Sequence, residues 1–495
     1  MPHPSVRLSR LPAPAAGAAL ALLLAACAGT SAAGEGAAAP TPAPQSVAPL
    51  RPERAARVEP AAPVARTIDS ALAAITFDSA WRRVRDSYYD PGMRGVDWAA
   101  VRDALRPEAL AARTPRELRA VLQRMVDRLG ESHFSVIPAE VAAGLEATAA
   151  EDSPGAAAPG DVGLTLRMVD DRVTVTHVVA DGPAHAAGIR PGWTVDVAAD
   201  DSAAPALRAL AAAPDEATRR ELRLRLPLRM AARLAGPAGA TVRVTVRDLD
   251  DRPLLLELAR RPAPGILVRF GNLPPTLADV SHRRIATPGG GCVGYVRFDS
   301  WMVPLGRAIE TAVDGVRACG GIVLDLRGNL GGVAGMAMGV AGHFMNEPHP
   351  LGILRTRAGE ARFVAYPRRV TSEGVATTPF DGPLAVLVDG QSASTTEFFA
   401  AGMRHTGRAR IFGETTAGKA LPAALVRLPS GDALMHVVAD FTTPDGTRLE
   451  GAGVSPDAPV PVRRADLRAG RDAALEAAVE WIQLRVAAVS GVEHR

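Results

Sequence analysis

Lysine is almost absent from this chain of 495 residues: of its 56 basic side chains, only Lys419 is a lysine. Arginine stays protonated at any accessible pH, whereas burial can push a lysine towards its neutral amine, so Lys419 alone could act as an amine base. A coding bias that replaces lysine with arginine wherever charge alone matters explains the shortage equally well. A lysine that survives such a bias is either accidental or stands where arginine cannot serve.

Cysteine is also scarce, and charge is nearly balanced. Cys27, Cys292 and Cys319 are too few for a disulfide framework, and no cysteine–histidine cluster has the spacing of a zinc site. A formal net charge of +3 speaks against nucleic acid as a partner. We therefore expect no structural metal. Cys292 and Cys319 are expected to be buried thiols that flank strands, and their pairing depends on geometry that sequence does not give.

Residues 1–27 have the pattern of a lipoprotein signal. Two arginines precede the apolar stretch 13–26, which is too short to span a bilayer, and small residues precede Cys27. This resembles the bacterial lipobox and predicts that Cys27 is lipidated, the alternative being an ordinary secretory signal with an incidental cysteine. Both alternatives predict export to the periplasm or cell envelope. Residues 28–70, rich in alanine and proline, are predicted to be a flexible linker.

Residues 71–150 are predicted to form an N-terminal helical domain. Apolar residues recur at three- and four-residue spacing over 77–88 and again over 118–129. Gly130 is expected to end the second helix and to leave His133 on the loop that follows.

Residues 160–262 change to a β-rich pattern. The alternating runs 172–176 and 240–246 predict strands, and the Ala/Leu/Arg-rich segment 204–234 between them predicts a helical insertion.

Residues 263–490 are predicted to form an α/β core. The apolar run 321–326 is typical of a buried parallel strand, and a second strand, 384–388, is likewise followed by a turn and a helix. Because open parallel sheets place ligands where such strands end, both turns are expected at one edge. The sequence as a whole therefore predicts a multidomain α+β protein.

The second of these turns carries a candidate nucleophile. Ser394 is expected at the start of a helix, where free backbone amides stabilise a developing anion, although Ser394 and Glu397 also fit a capping box that needs no catalysis. Lys419 follows in a loop of small and apolar residues and could take the serine proton as a neutral amine, or could form an ordinary ion pair with Glu414. In the first turn, Gly331 lets bare amides approach a carbonyl oxygen as an oxyanion hole.

Five motifs follow one another along the chain: LGESH at 129–133, DLRGNLGG at 325–332, SAS at 392–394, GK at 418–419 and EGAGVSPD at 450–457. The series is similar to that of the C-terminal-processing (tail-specific) serine peptidases, which are related to the tricorn-type peptidases. The resemblance implies a core of the crotonase-like type and a Ser394–Lys419 dyad. It also implies an oxyanion hole made by Gly331 and the amide of Thr395, with no cofactor.

The β-rich region fits the same resemblance. Gly163 and Leu164 resemble the carboxylate-binding loop of a PDZ domain, and the segment 181–192 resembles its turn and short helix. Such a domain adds a peptide as an extra strand and holds its terminal carboxylate on loop amides. The alternative is a structural β-rich insert.

The candidate base is open to two interpretations. Processing peptidases often carry a glutamine four residues after the lysine, where this chain has Ala423, so the positioning of Lys419 is unaccounted for. The tricorn-type branch instead uses a histidine in the position of His133, supported by a glutamate like Glu450, and Ser132 could assist. The structural alternatives are a histidine bonded to backbone and a glutamate that anchors its turn. We rank Lys419 over His133.

The sequence thus predicts an exported, lipid-anchored serine endopeptidase that cleaves protein or peptide substrates near their C-terminal ends. The alternatives are the same fold with a Ser394, His133 and Glu450 arrangement, and a non-catalytic PDZ-type protein that binds peptides. Physiological substrate and oligomeric state are left open.

Overall fold

The computed structural model of the protein describes residues 67–139, 159–263, 265–268, 276–288 and 290–492. The predicted signal with Cys27, nearly all of the predicted linker and the end of the predicted helical domain lie outside the described residues. The described residues all lie in one compact unit, residues 64–495. Within these ranges, none of the helices combines the length and the apolarity that crossing a membrane requires.

Three helices open the described chain, where the sequence predicts helices. They are α1 (Ser70–Ser87), α2 (Trp98–Ala111) and α3 (Pro115–Asp127), with a 3-10 turn at Met93–Gly95. Thr114 and Glu117 form a capping box that starts α3. The apolar faces of the helices share one hydrophobic core with side chains from much later in the chain: Leu421, Leu428, Leu434 and Val437.

The 159–263 region is built on an antiparallel sheet. Its strands are β2 (Pro159–Asp161), β3 (Leu164–Val169), β4 (Arg172–Val178), β5 (Thr194–Ala198), β6 (Asp201–Ser202), β7 (Gly236–Pro237), β8 (Thr241–Arg247), β9 (Pro253–Ala259) and β10 (Arg261–Pro262). The main sheet has the order β3-β4-β5-β8-β9, with β6 paired to β5, while β2 lies between β10 and β7 in a smaller sheet. Among the described strands, β3 is therefore an edge strand.

Helices cover one face of this sheet. They are α4 (Pro183–Ala186), α5 (Ala204–Ala211) and α6 (Glu216–Leu234). The last two occupy the segment that the sequence predicts to be a helical insertion, and α6 lies against the edge strand β3. Leu226, Met230 and Leu234 of α6 pack into the core of the sheet. The PDZ assignment of this region stays a prediction.

The rest of the chain is organised around a mostly parallel sheet. Its strands are β13 (Val280–Ala286), β14 (Cys292–Phe298), β15 (Gly321–Asp325), β18 (Leu384–Val388), β19 (Arg410–Gly413) and β23 (Ala458–Pro459). They lie in that order, and every neighbouring pair except β13–β14 is parallel. Every residue of β15 and β18 is buried, as expected of parallel strands covered on both faces.

Helices pack on both faces of this sheet. They are α7 (Gly306–Val316), preceded by a 3-10 turn at Val303–Leu305, α8 (Ala334–Ala341), α9 (Thr395–His405) and α11 (Ala473–Val492). The short helix α10 (Arg464–Arg468) instead contacts the 159–263 region through Arg464. Ala478 and Ile482 of α11 form a core with one face, while α7, α8 and α9 pack in a larger core on the other. The β15–α8 and β18–α9 turns lie side by side, because the Ala393 N–H donates to the Asn329 carbonyl at 3.0 Å. This confirms that both predicted turns occupy one edge.

The remaining strands form small antiparallel sheets. They are β1 (Ser135–Ile137), β11 (Ile266–Val268), β12 (Thr276–Ala278), β16 (His349–Thr356), β17 (Gly359–Ala365), β20 (Ala423–Arg427), β21 (Ala433–Val437) and β22 (Ala439–Thr442). The order β1-β21-β20 ties the loop after α3 to the segment after Lys419. This pairing brings His133 and Lys419 to the same place, although one comes early in the chain and the other late.

The cysteines differ from expectation. Cys292 and Cys319 form a disulfide rather than two buried thiols, across a sequence separation of 27 residues. Cys292 begins β14 and Cys319 follows α7, so the bond closes a strand–helix unit. Sequence could not decide this, because pairing requires that the two ends of the unit approach each other in space.

Candidate active site

Ser394 has an unusual backbone conformation at the start of α9. Its φ is 57° and its ψ is −120°, a region that residues other than glycine rarely adopt. Its N–H points at the Lys419 carbonyl (2.9 Å) and at the Glu397 carboxylate (3.0 Å), so the turn is held from two sides. Backbone strain of this kind costs about 1–3 kcal/mol and clusters at functional sites.

The glycine turn lies directly against Ser394. A Cβ on Gly331 would stand 2.7 Å from the Ser394 Cβ and 3.1 Å from the Thr395 nitrogen, so only glycine fits. Thr395 is the first residue of α9, and its N–H has no acceptor within the helix. The Gly331 N–H, however, donates to the Asn329 Oδ1 at 3.0 Å. The predicted oxyanion donors are therefore adjacent, with the Gly331 amide engaged by Asn329.

His133 is the end of a half-buried hydrogen-bond relay. The Ser132 hydroxyl donates to the Glu450 Oε2 at 3.0 Å and lies 2.7 Å from the His133 Nδ1. Because that hydroxyl proton is directed at Glu450, its oxygen accepts from the His133 Nδ1–H, which leaves Nε2 as the unprotonated nitrogen. The Ser132 N–H also donates to Glu450, at 2.9 Å. The relay therefore fixes the tautomer that a general base needs.

The electrostatics keep the His133 ring of this relay in its neutral form. Burial, together with the positive charge of Lys419, lowers the pKa of His133 to about 4, so the ring is neutral at neutral pH. Burial raises the pKa of Glu450, while hydrogen bonds from Ser132 and Ala420 oppose the rise. The backbone at His133 has φ 61°, a second strained position in the same site.

Lys419 has a partner that sequence did not indicate. Its ammonium forms an ion pair with Glu221 of α6, and the two side chains are 28% and 25% exposed. Glu414, the partner considered from sequence, instead accepts from the Val462 N–H at 2.9 Å. Ala423 is exposed on β20 and offers Lys419 no hydrogen bond.

The Ser394 hydroxyl is not yet engaged with either candidate base. In the part of the chain that the structure describes, it forms no hydrogen bond with the His133 ring or with the Lys419 ammonium. Catalytic hydrogen bonds are often long in the absence of substrate and tighten when it binds, so this arrangement excludes neither base.

Glu397 does more than the capping predicted from sequence. Its fully buried carboxylate also accepts from the Gly418 N–H at 2.8 Å and the Lys419 N–H at 2.9 Å. The Thr416 hydroxyl donates to it as well, at 2.6 Å. Burial raises the pKa of Glu397 to about 7. One carboxylate thus joins the nucleophile turn to the Lys419 loop, which sequence could not reveal because the loop's position depends on the sheet order.

The 159–263 region also reaches the nucleophile turn, through Arg167 of β3. The Arg167 guanidinium forms an ion pair with Asp389 at 2.5 Å and donates to the Gln391 side chain at 2.6 Å. Gly163, with φ 75°, turns the chain immediately before β3, and Leu164 is the first residue of that edge strand. Strand β3 therefore joins the Gly163 turn at its start to a residue, Arg167, that contacts the turn before Ser394.

A strained serine at a helix N-terminus, a glycine turn against it and a neutral histidine held by a carboxylate relay define the class of serine hydrolases. Residues 292–460 match the model of peptidase family S41, and residues 74–127 match that of the tricorn protease C1 domain. The chain therefore carries a peptidase family S41 domain and is a serine peptidase related to the C-terminal-processing proteases.

The similar proteins are named as carboxyl-terminal-processing peptidases or proteases. Carboxyl-terminal-processing peptidase 2 of Arabidopsis thaliana chloroplasts is 25% identical over 398 residues, which cover 78% of this chain and 68% of the relative. The carboxyl-terminal-processing protease of Synechocystis is 25% identical over 382 residues, covering 76% and 78%. The solved structure of a photosystem II D1 C-terminal processing protease superposes with a TM-score of 0.53 at 22% identity. It covers 79% of this chain and 93% of the other, which shows a common fold.

Proposed function

We propose that this protein is an exported, lipid-anchored serine endopeptidase that cleaves protein or peptide substrates near their C-terminal ends. The observation that carries the proposal is that the Lys419 loop bonds to both candidate parts of the site. The Lys419 carbonyl accepts from the Ser394 N–H at 2.9 Å, and the Ala420 N–H donates to Glu450 of the relay at 2.7 Å. The similarity to proteins named carboxyl-terminal-processing proteases supports the choice of substrate end.

The proposed reaction uses Ser394 as the nucleophile and His133 as the base. Nε2 of His133 takes the hydroxyl proton as the Ser394 oxygen attacks the scissile carbonyl, and it returns that proton to the leaving amine. Glu450 stabilises the imidazolium through Ser132 without taking its proton. A water then repeats the cycle on the acyl-enzyme and releases the second product. Apart from that water and the substrate, the groups that take part in these steps are residues of this chain.

The oxyanion of each tetrahedral intermediate is proposed to bind the amides of Thr395 and Gly331. The Thr395 N–H stands at the N-terminus of α9, where the helix dipole also favours negative charge. The Gly331 N–H now donates to the Asn329 side chain. It joins the Thr395 N–H once the Gly331 peptide group rotates away from Asn329.

The choice of base reverses the ranking from sequence. His133 is neutral and held by the relay, whereas the Lys419 side chain is engaged in an ion pair with the Glu221 carboxylate. Lys419 remains the second candidate, because an amine beside the serine can also act as its base.

The 159–263 region is proposed to be a PDZ-like domain that captures the substrate's C-terminal end. An edge strand, β3, preceded by the Gly163 turn is the arrangement that β-strand addition requires, with the terminal carboxylate on loop amides and the peptide along the strand. Arg167, on that strand, contacts the nucleophile turn.

Export and lipidation are supported by the signal pattern ending at Cys27. The Cys292–Cys319 disulfide agrees with export, because such bonds form and persist mainly in oxidising compartments.

The test uses the purified chain and an unstructured protein substrate, either with a free C-terminus or with an amidated one. We expect wild type to cleave the free form faster, and Ser394→Ala to lose at least about 10⁴-fold in kcat. Equal cleavage of both forms would refute C-terminal capture. Binding of the free form without cleavage would refute the peptidase and favour a peptide-binding protein.

Membrane attachment has a separate test. Cys27→Ala should move the protein from the membrane fraction to the soluble fraction of the cell envelope, with unchanged peptidase activity. Retention of this variant on membranes would refute the lipid anchor.

A further inference from the structure

Glu131 carries a buried carboxylate that takes no part in the proposed reaction. It lies two residues before His133 in the LGESH motif, and its side chain is 2% exposed. Its two oxygens accept hydrogen bonds from four side chains: Tyr88, Tyr89, Arg94 and Arg448. A buried carboxylate with this many donors is held in one place, because movement of the group would leave several buried donors without a partner.

The donors to Glu131 come from distant parts of the chain. Tyr89, which follows α1, donates at 3.0 Å, and Arg94 of the 3-10 turn after it also donates at 3.0 Å. Arg448 donates at 2.6 Å and lies 317 residues further along the chain. Glu131 thus joins the helical segment to the late segment that contains the relay glutamate.

Arg448 lies two residues before Glu450, just as Glu131 lies two residues before His133. Its guanidinium contacts Glu131 on one side and the Asp440 carboxylate of β22 on the other, at 2.9 Å. The Arg448 side chain is 31% exposed, whereas those of Glu131 and Asp440 are 2% and 8% exposed. One arginine therefore fixes the chain just before Glu450 to the chain just before His133.

Two sets of bonds join these two segments. The first is the Arg448–Glu131 ion pair. The second belongs to the relay, in which the Ser132 N–H and hydroxyl donate to Glu450 at 2.9 and 3.0 Å. Because Glu131 and Ser132 are adjacent, a shift of the ion pair also changes the distance from Ser132 to Glu450. Hydrogen bonds weaken steeply outside a narrow range of distance and angle, so the relay depends on that ion pair.

The loop that carries His133 is held in a restricted conformation. Gly130 has φ 65° and His133 has φ 61°, so the backbone is left-handed at both positions. A residue other than glycine keeps this conformation only where its surroundings enforce it. The bonds to Glu131, between the two positions, supply that enforcement.

We propose that Glu131 and Arg448 are positioning residues that set the tautomer and the orientation of His133 by clamping the two ends of the relay together. Neither residue transfers a proton, because both act through Ser132 and Glu450. The inference rests on the proposed function in taking His133 as the base. The competing role for this ion pair is to hold the helical segment on the core, with no effect on the His133 ring.

The decisive variant is Arg448→Met, because Glu131 keeps three of its four donors when Arg448 is replaced. Arg368→Met is the matched control. Arg368 is 29% exposed and pairs with a glutamate, Glu310 of α7, at 2.7 Å. We expect kcat to fall about tenfold to 10²-fold in Arg448→Met, with KM little changed, as for a catalytic group displaced by about 1 Å. Arg368→Met should keep the wild-type kcat. An unchanged kcat in Arg448→Met, or an equal fall in both variants, would overturn the inference.

A double-mutant cycle measures whether the ion pair acts through His133. When Arg448→Met is added to His133→Ala, kcat should fall by less than about twofold, because no base is left to misplace. A further fall as large as the one in the wild-type background would show that the ion pair only supports the fold, which contradicts the positioning role.

A spectroscopic measurement separates the positioning role from the choice of base. In protein labelled with ¹⁵N at histidine, the His133 signals are assigned by their absence from His133→Ala, and the two ring-nitrogen shifts report which nitrogen carries the proton. Wild type and Arg368→Met should have the proton on Nδ1, whereas Arg448→Met should show a mixture of the two tautomers. A wild-type pattern in Arg448→Met refutes the positioning role. A mixture beside a fully active His133→Ala enzyme refutes His133 as the base and leaves the positioning role standing.

Discussion

The two candidate bases of this peptidase are held in opposite ways. His133 is bonded to Ser132, which is bonded to Glu450, and all three lie between the helical segment and the parallel-sheet core. Lys419 is held by one ion pair to Glu221, a side chain from a different region that is a quarter exposed, as is Lys419 itself. The relay is fixed by two successive hydrogen bonds, whereas a single partly exposed ion pair is worth about 1 kcal/mol at most. His133 is therefore preorganised, whereas the ion pair that holds Lys419 can be broken at a small cost in free energy.

The difference carries a lesson about the chain's only lysine. Its scarcity points to a position where arginine cannot serve, but that requirement need not be proton transfer. Lys419 pairs with Glu221 through a compact ammonium on a flexible stem, whereas arginine, with its planar fork of donors, would bind the same carboxylate in two places. The count of lysines therefore identifies the position and not the chemistry.

The largest effect on kcat is expected from replacing each candidate base in turn. His133→Ala should lower kcat by about 10³-fold, within the range of a lost general base, while Lys419→Arg should lower it by less than about tenfold. Cleavage of an unstructured substrate at saturating concentration measures both. An inactive Lys419→Arg enzyme beside an active His133→Ala enzyme would reverse the comparison and restore the Ser394–Lys419 dyad.

A smaller loss of kcat is expected when His133 stays in place and the negative charge of Glu450 is removed. Glu450→Gln removes the carboxylate that stabilises the imidazolium, so we expect kcat to fall by about 10²-fold with KM little changed. Glu414→Gln is the matched control, because Glu414 is another half-buried glutamate that accepts from a backbone N–H, that of Val462. Similar losses in both variants would mean that Glu450 only anchors its turn.

Sequence reasoning succeeded where the chemistry is carried by adjacent residues. The turn at Gly331, the helix start at Ser394 and the helices before His133 were all predicted from local patterns, and the sheet order then confirmed that both turns share an edge. Local signals suffice there because glycine, capping residues and apolar spacing act within a few residues.

Contacts between side chains from distant parts of the chain could not be predicted from the sequence. Glu221 lies in the segment that the sequence predicts only to be a helical insertion, and nothing local links it to Lys419. Glu397 fits a capping box completely, so its bonds to the Lys419 loop add no signal. The Cys292–Cys319 bond likewise depends on where a strand and a helix end in space.

The pH dependence of kcat/KM, which reports on the free enzyme, distinguishes His133 from Lys419 as the base. If His133 is the base, kcat/KM should stay high as pH falls and decline only near pH 4, where its ring gains a proton. Since the unfolded chain binds that proton at the ordinary histidine pKa of about 6.5, the free energy of unfolding should also decrease as pH falls from about 6.5 towards 4. An activity limb that lies well above neutral pH would instead indicate an amine base.

The smallest effect on catalysis is expected from the disulfide, which lies on neither side of the comparison. Replacing both Cys292 and Cys319 with alanine removes a cross-link over 27 residues, and chain-entropy arguments give a loss of about 3.5 kcal/mol in the free energy of unfolding. Because β14 and α7 contribute no side chain to the Ser394 site, kcat/KM at low temperature should match wild type. Denaturant unfolding and substrate cleavage measured on one preparation check both points. A parallel fall in kcat/KM would mean that the sheet edge itself moves, and the two bases could then no longer be compared as local features of a rigid site.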